Sequence, residues 1–446
     1  MQFALNTLCL LIVPASGDEL VYSTQVWNGD PNTERESTIR TISDTGYGDS
    51  MLLNLGGDTT YPHFSADGQW LYFQSDFSGQ YEVYRSLPDG SQVTQVGDPA
   101  AFGAQYFRSY GYSLSGDSSK MVYTIFDGIE AKAVYANADG SDAQLVAPQL
   151  GFTYMASLNQ SGNQVVFSGP AENYELLTAS VPNGQPSILT PDLPQSYVPQ
   201  FTPDGKTVVF LRIDGNIYSE DLATLQVHQL TQNNGYVELH WNATDQHGSS
   251  DGPSISPDGQ HIAYIGLVNG VAQVFTMNLD GTNQRQLTFG STDSGRVVWS
   301  PDGKELAFVT FINGYPQLFD MPSTGGTPLQ LTNVPGGGVY WVQWEPTTLP
   351  GDFNHDGMVN AADYSILMSH WQQSGVGPSG GDLSGDGTVG IEDFALFKDD
   401  YLAANGSGAS FAVPEPSSLA TTIVALIAVG RWRKRERATA RHGMVG

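Results

Sequence analysis

One short turn recurs six times in this chain, and its spacing limits what the chain can fold into. The copies are Ser65-Ala66-Asp67-Gly68, Ser115-Gly116-Asp117-Ser118, Asn159-Gln160-Ser161-Gly162, Thr202-Pro203-Asp204-Gly205, Ser256-Pro257-Asp258-Gly259 and Ser300-Pro301-Asp302-Gly303. Counted from the third residue of each, they stand 50, 44, 43, 54 and 44 residues apart. Periods of this size belong to propellers and solenoids, whose units bury an apolar face only by stacking on their neighbours. An apolar residue precedes each turn: Phe64, Leu114, Leu158, Phe201, Ile255 and Trp299. An alternating strand follows it, as in Trp70-Leu71-Tyr72-Phe73. Proline fixes φ and Asp-Gly accepts a tight reversal, so the tetrapeptide reads as a hairpin connector with no catalytic role.

A second hairpin falls between successive turns. It is seen at Leu87-Pro88-Asp89-Gly90, Asn137-Ala138-Asp139-Gly140, Val181-Pro182-Asn183-Gly184, Leu279-Asp280-Gly281 and Ser323-Thr324-Gly325-Gly326, while the copy near Leu222-Ala223-Thr224 lacks its glycine. Strands such as Gln286-Leu287-Thr288 and Gln330-Leu331-Thr332 close the unit, giving four strands, which is one propeller blade. Residues 19–27 and 39–55 supply later strands without an opening turn. Residues 339–346 supply an opening strand and stop, with Trp344 in the place of Trp299. The expectation is a mainly β fold: a seven-bladed propeller over residues 18–348, six blades whole and one split between its ends. Such closure removes the free sheet edge. The pattern resembles the TolB-like, WD-repeat-like propellers.

The C-terminal region departs from this pattern. Asp352 to Asp363 reads D-F-N-H-D-G-M-V-N-A-A-D, and Asp382 to Asp393 reads D-L-S-G-D-G-T-V-G-I-E-D. Oxygen-bearing residues stand at loop positions 1, 3, 5 and 12: Asp352, Asn354, Asp356 and Asp363, then Asp382, Ser384, Asp386 and Asp393. Position 7 offers a backbone carbonyl from Met358 or Thr388. A hard cation takes about 6–8 oxygens, and alternating side chains on a curled loop supply them. Gly357 and Gly387 fall where the loop turns sharply. The bland reading, two Asp/Gly surface turns, is weakened by their register. Helices are expected only after the loops, over 361–371 and 391–402, with Ile366, Leu367, His370, Phe394, Leu396, Phe397 and Tyr401 at helical spacing. Position 12 is Asp, and Gly351 and Gly381 stand where an entering helix would end, unlike an EF-hand. This duplication, over 350–403, resembles a type I dockerin. The resemblance implies two Ca²⁺ ions, calcium-dependent folding and docking onto a cohesin-type module. The implied partner-binding pairs are Ala361/Ala362 and Ile391/Glu392; because they differ, symmetric two-way docking is not expected.

Composition sets the compartment and excludes some partners. There are 18 basic and 46 acidic residues, a net charge of −28, so phosphate is repelled and nucleic acid is not an expected partner. Aromatics make up 11% and charged residues 14%, a folded β-type composition. The single cysteine, Cys9, lies in an apolar stretch over 3–13 followed by Pro14-Ala15-Ser16-Gly17, which reads as a signal peptide over 1–17. Beyond a linker at 404–412 comes Val413-Pro414-Glu415-Pro416, the apolar 419–430, and Arg431, Arg433, Lys434, Arg435 and Arg437. The apolar run is short for a membrane helix, which needs about 17–25 residues. These three parts, over 413–437, resemble a PEP-CTERM sorting signal. That implies an exosortase-type sorting enzyme, an exported protein at the cell surface or beyond, and membrane contact only through the tail.

Fold alone does not select a function for a propeller. A peptidase would need G-x-S-x-G; the nearest string, Gly111-Tyr112-Ser113-Leu114-Ser115, lacks the second glycine and lies inside a repeat. The 54-residue interval holds His240, Asp245 and His247 in an insertion, a candidate propeller-face site for a transition metal or simply a polar loop. Two readings follow. One is a noncatalytic propeller that binds a protein or glycan and is attached through its dockerin. The other is a polysaccharide-active lyase or glycosidase. The first is favoured.

Overall fold

The computed structural model describes residues 19–26, 36–102, 111–126, 129–170, 174–190, 195–232, 252–346, 351–353, 359–374, 381–384 and 388–405. The chain divides into two compact units between Thr348 and Leu349. The first unit contains seven antiparallel sheets of four strands each. Blades 1 to 6 occupy residues 59–95, 112–145, 154–188, 196–229, 254–286 and 294–330, each in sequence order from its first strand to its fourth. Blade 7 is composite: Gly337–Trp344 is its first strand, and Glu19–Val26, Glu36–Ser43 and Ser50–Leu53 complete it. The two ends of the unit pair antiparallel from Leu20↔Trp344 to Val26↔Gly337. The ring therefore closes as the repeat arithmetic requires.

The recurring tetrapeptide turns by a side-chain lock. Ser65 Oγ donates to Asp67 Oδ1 at 2.5 Å and accepts from the Trp70 amide at 2.9 Å, while the Gln69 amide donates to Asp67 Oδ1 at 3.0 Å. The same hydroxyl-to-carboxylate bond recurs at Ser115–Asp117, Thr202–Asp204, Ser256–Asp258 and Ser300–Asp302. The degenerate copies keep the geometry by other means. Ser118 takes the left-handed conformation in place of glycine, at φ +52°. Asn159 Oδ1 accepts from the amides of both Asn163 and Gln164, replacing hydroxyl and carboxylate together. In the hairpin without glycine, Leu225 adopts φ +57° and Asp221 Oδ1 accepts from the Ala223 and Thr224 amides.

A second lock lies at the outer strands. Thr190, Thr231, Thr288 and Thr332 each accept, through Oγ1 at 2.9 Å, an amide of the third strand: Leu176, Ile217, Val274 and Leu318. These hydroxyls are buried, so each satisfies a backbone donor that water cannot reach. The Leu-Thr ending of a blade is thus both packing and hydrogen bonding.

The hydrophobic core is a set of layers between blades. Tyr72 and Val83 of blade 1 meet Met121, Ile125 and Val134 of blade 2. Tyr135 meets Phe167, and Phe210 meets Val166, at the next two seams. The layer at the closing seam contains Leu20, Tyr22, Ile42, Val339, Val342 and Trp344 of blade 7 with Ala307, Leu318 and Leu331 of blade 6.

One buried carboxyl group strains that last seam. Asp320 is 6% exposed, and its pKa is pushed up to about 8 by burial, then by the Glu305 carboxylate and, more weakly, by Asp44. The unfolded chain gives this proton up near pH 4, but the folded chain holds it to about pH 8. The contribution to stability is therefore fullest below about pH 4 and is lost progressively as pH rises to about 8. Asp320→Asn is expected to stabilise the propeller at pH 8 by about 1–3 kcal/mol, partial solvent screening included, and to change little at pH 4. Denaturant midpoints at the two pH values check this, and equal effects at both would refute it.

Candidate calcium loops and the propeller channel

The second unit has two helices, α1 (Ala361–Ser369) and α2 (Ile391–Asn405). They begin where the sequence pattern places them; α1 ends two residues earlier than expected and α2 runs three residues further. Each starts immediately after loop position 9. Asn360 caps α1 by accepting the Ala362 amide at 2.8 Å, and the Asp363 carboxylate reaches back to the Asn360 amide at 2.8 Å, a reciprocal capping box. Asp363 Oδ1 also accepts the Phe353 amide at 2.9 Å. The second loop repeats the arrangement: Asp393 accepts the Gly390 amide at 2.6 Å and the Ser384 amide at 2.8 Å. The position-12 aspartates thus close each loop onto the helix that follows it.

Burial makes these groups unusual. Asp363 and Asp393 are fully buried, and Asp352 and Asp382 are 5% exposed. Carboxylates in such positions need a positive partner. A hard cation suits a donor set made only of oxygens. Asp352, Asp363, Asp382, Ser384, Thr388 and Asp393 are described, whereas Asn354, Asp356, Met358 and Asp386 lie outside the described residues. Among the described residues no group of three His, Cys, Asp or Glu is close enough to hold a metal. The further acid of each loop, Asp356 or Asp386 at position 5, lies outside the described residues.

The two halves build one small core with matched positions. Val359 pairs in role with Val389, Tyr364 with Phe394 and Leu367 with Phe397, each 30 residues apart and buried. Phe353 stacks on Phe397 with ring centroids 5.6 Å apart. Helical spacing alone pointed to Leu396, which is in fact 42% exposed; it missed Tyr364, which is buried. The loop offset, applied to the Phe394 position, identifies Tyr364. At the helix starts, Ala361 and Ala362 are exposed on α1, and on α2 Glu392 is exposed and Ile391 half-buried. Both pairs are therefore accessible to a partner, with different chemistry.

In the propeller, the first strand of each blade lines the central channel, and four of these strands share a distortion that the sequence did not suggest. Tyr61, Met155, Val198 and Arg296 have φ between +43° and +55°, each at a break in pairing with the second strand. A β-branched residue rarely adopts this conformation, so Val198 marks a built bulge. The bulges carry side chains across blade boundaries. Arg296 places its guanidinium carbon 3.3 Å from the centre of the Trp341 ring, which in turn lies 3.5 Å from that of Tyr61. Blades 6, 7 and 1 are joined there by a cation–π stack. His63, on the first strand of blade 1, is structural: its Nδ1 is 2.6 Å from the Phe64 carbonyl, and burial lowers its pKa. The candidate His240, Asp245 and His247 lie outside the described residues.

Comparison with known proteins agrees with this geometry. The family model for the TolB beta propeller domain matches residues 238–350, and that for the dockerin type I domain matches residues 350–402. The chain carries a TolB-like β-propeller and a type I dockerin domain. It is 26% identical over 264 residues to the Tol-Pal system protein TolB of Francisella tularensis, covering 58% of this chain and 57% of that protein. The chain thus spans little more than half the length of the curated relatives it matches. The β-propeller domain of the Trilobed protease from Pyrococcus furiosus shares the fold at 12% identity, with a TM-score of 0.51, over 72% of this chain and 96% of that one. That domain is described as having an open velcro topology, whereas here the strand pairing of the two ends closes the ring. A puromycin-hydrolyzing peptidase of Mycobacterium tuberculosis shares it at 15% identity and a TM-score of 0.52, over 71% of this chain and 52% of that one. Among the described residues no helix is long and apolar enough to cross a membrane.

Proposed function

We propose that this protein is an exported, noncatalytic binding propeller attached through a calcium-dependent dockerin to a cohesin-type partner. The observation that carries the reading is the repeated loop closure. Each loop buries one aspartate at position 1 and one at position 12, the latter locked onto the next helix. Two Ca²⁺ ions would be held by Asp352, Asn354, Asp356, Met358 and Asp363, and by Asp382, Ser384, Asp386, Thr388 and Asp393. The cohesin-type module would contact Ala361/Ala362 or Ile391/Glu392, and one mode would dominate because the pairs differ. The apolar segment at 3–13 and the P-E-P box with its apolar and basic tail support export and sorting by an exosortase-type enzyme. The propeller would receive a protein or glycan ligand. A second reading, a polysaccharide lyase or glycosidase, stands on the insertion that gathers His240, Asp245 and His247.

Calorimetric calcium titration of the full chain, followed by a glycan array and polysaccharide turnover assays, tests this. The expected result is two calcium sites and no turnover. Absence of calcium binding would remove the dockerin reading, and turnover lost on His240→Ala or His247→Ala would replace the binder with the enzyme.

A further inference from the structure

The antiparallel order of every blade puts the turns after its first and third strands on one face of the ring. The hairpin after its second strand and the linker to the next blade lie on the other. The two faces differ in chemistry. Turns of the first face carry aspartates such as Asp67, Asp204 and Asp302, held by bonds within their own turns. On the opposite face, six of the seven hairpins expose an apolar side chain: Val26, Phe77, Ile129, Ile213, Leu267 and Phe311, from 37% to 85% exposed. The hairpins of blades 2, 3 and 7 lie partly outside the described residues. Phe289, on the linker between blades 5 and 6, adds a further ring at 78% exposure. The aspartate-bearing face exposes fewer of them among the described residues: Tyr47 and Leu225 in its turns, and Met51 and Leu329 at the start of fourth strands.

These side chains are not needed to turn the chain. Gly215, Gly270 and Gly314 already supply the left-handed residue in three of the hairpins. A scattered exposed apolar residue means little, but one on nearly every hairpin of a single face marks an interaction surface. We infer that this face docks a protein partner that presents apolar side chains among lysines and arginines. Four of the seven, Val26, Ile129, Ile213 and Leu267, offer no ring for a sugar to stack on, which favours a protein over a glycan. The same face exposes Asp214 and Asp293 and holds half-buried Asp76 and Glu130, and Arg212 is neutralised by Asp214 at 3.3 Å. With 35 acidic against 11 basic residues over 1–348, the face attracts a basic partner and repels an anionic membrane. This inference rests on the binding-platform reading and names the partner class for it.

The test uses the full calcium-loaded chain and a displayed library of random peptides as probe. The triple variant Ile213→Ser, Leu267→Ser, Phe311→Ser is compared with the opposite-face double variant Tyr47→Ser, Leu225→Ser. Selected peptides are expected to combine Leu or Phe with Lys or Arg. They should bind wild type and the double variant alike and bind the triple variant at least about tenfold more weakly. Because the substituted side chains are exposed, all three proteins should share one thermal midpoint. Peptides that bind the triple variant equally well would overturn the inference. So would glycans or phosphatidylserine vesicles that bind through these residues, or self-association in sedimentation that the triple variant abolishes. Polysaccharide turnover with this face intact would instead defeat the binding-platform reading, so the two failures are distinguishable.

Discussion

Chelation of calcium is expected to unfold residues 350–403 while the propeller stays folded. Residues 351–405 contain nine acidic side chains and a single lysine, Lys398. Four of those acids, Asp352, Asp363, Asp382 and Asp393, are at most 5% exposed. The backbone amides bound to the position-12 carboxylates supply partial charge only. Several kcal/mol of desolvation per buried ion has to be offset. The core available to do so is small: seven buried apolar residues and two helices of 9 and 15 residues. A core of this size rarely supplies more than about 3–5 kcal/mol. Metal binding then becomes folding free energy. Asp363→Asn or Asp393→Asn keeps the side-chain shape and removes one charge, so each should weaken calcium at its own loop by about 100-fold. The pair together should keep the module unfolded at micromolar calcium. Helical circular dichroism followed against calcium concentration checks this. A chelated protein that retains the helical signal would show that the module stands without metal.

The sequence revealed the repeat because its locks are local. A polar side chain that accepts the turn's amides and a left-handed residue, within four residues, make one turn, and six turns in series fix blade number, strand order and the position of the closing strand. The dockerin loops were legible for the same reason, since their candidate donors and caps lie within twelve consecutive residues. What escaped notice depends on distance. The stack of Arg296, Trp341 and Tyr61 joins three blades, and the bulges that aim it follow no residue pattern: Tyr, Met, Val and Arg occupy equivalent left-handed positions. The Leu-Thr ending was visible as strand, but its hydrogen bond to the third strand was not. Asp320 looked like one acid among many. Its burial at the closing seam, with Glu305 and, more weakly, Asp44 beside it, gives it a raised pKa.

Trp344→Ala is expected to destabilise the propeller by about 3–5 kcal/mol, the cost of emptying a large buried site. Trp299→Ala should cost only about 1–2 kcal/mol. The two tryptophans occupy the same place in their blades: Trp299 faces Leu306 and Trp344 faces Leu20. Their surroundings differ. Trp344 is 2% exposed and packed into the closing layer, while Trp299 is half-buried and donates its ring N–H to the Ser254 carbonyl at 3.0 Å. Blade 6 is one continuous segment, so a loss at Trp299 is shared with short connections on either side. Blade 7 draws its first strand from one end of the unit and the other three from the opposite end. The pairing of Gly337–Trp344 with Glu19–Val26 closes the ring over more than 300 residues of chain. Opening it would expose two unpaired strand edges at once, with the apolar layer of Leu20, Tyr22, Val339 and Val342. The Trp344 variant should therefore also unfold faster and aggregate on heating, whereas the Trp299 variant should not. Denaturant unfolding rates of the two proteins decide the point. Equal losses would mean that the seam between the chain ends carries no more of the stability than any other blade boundary.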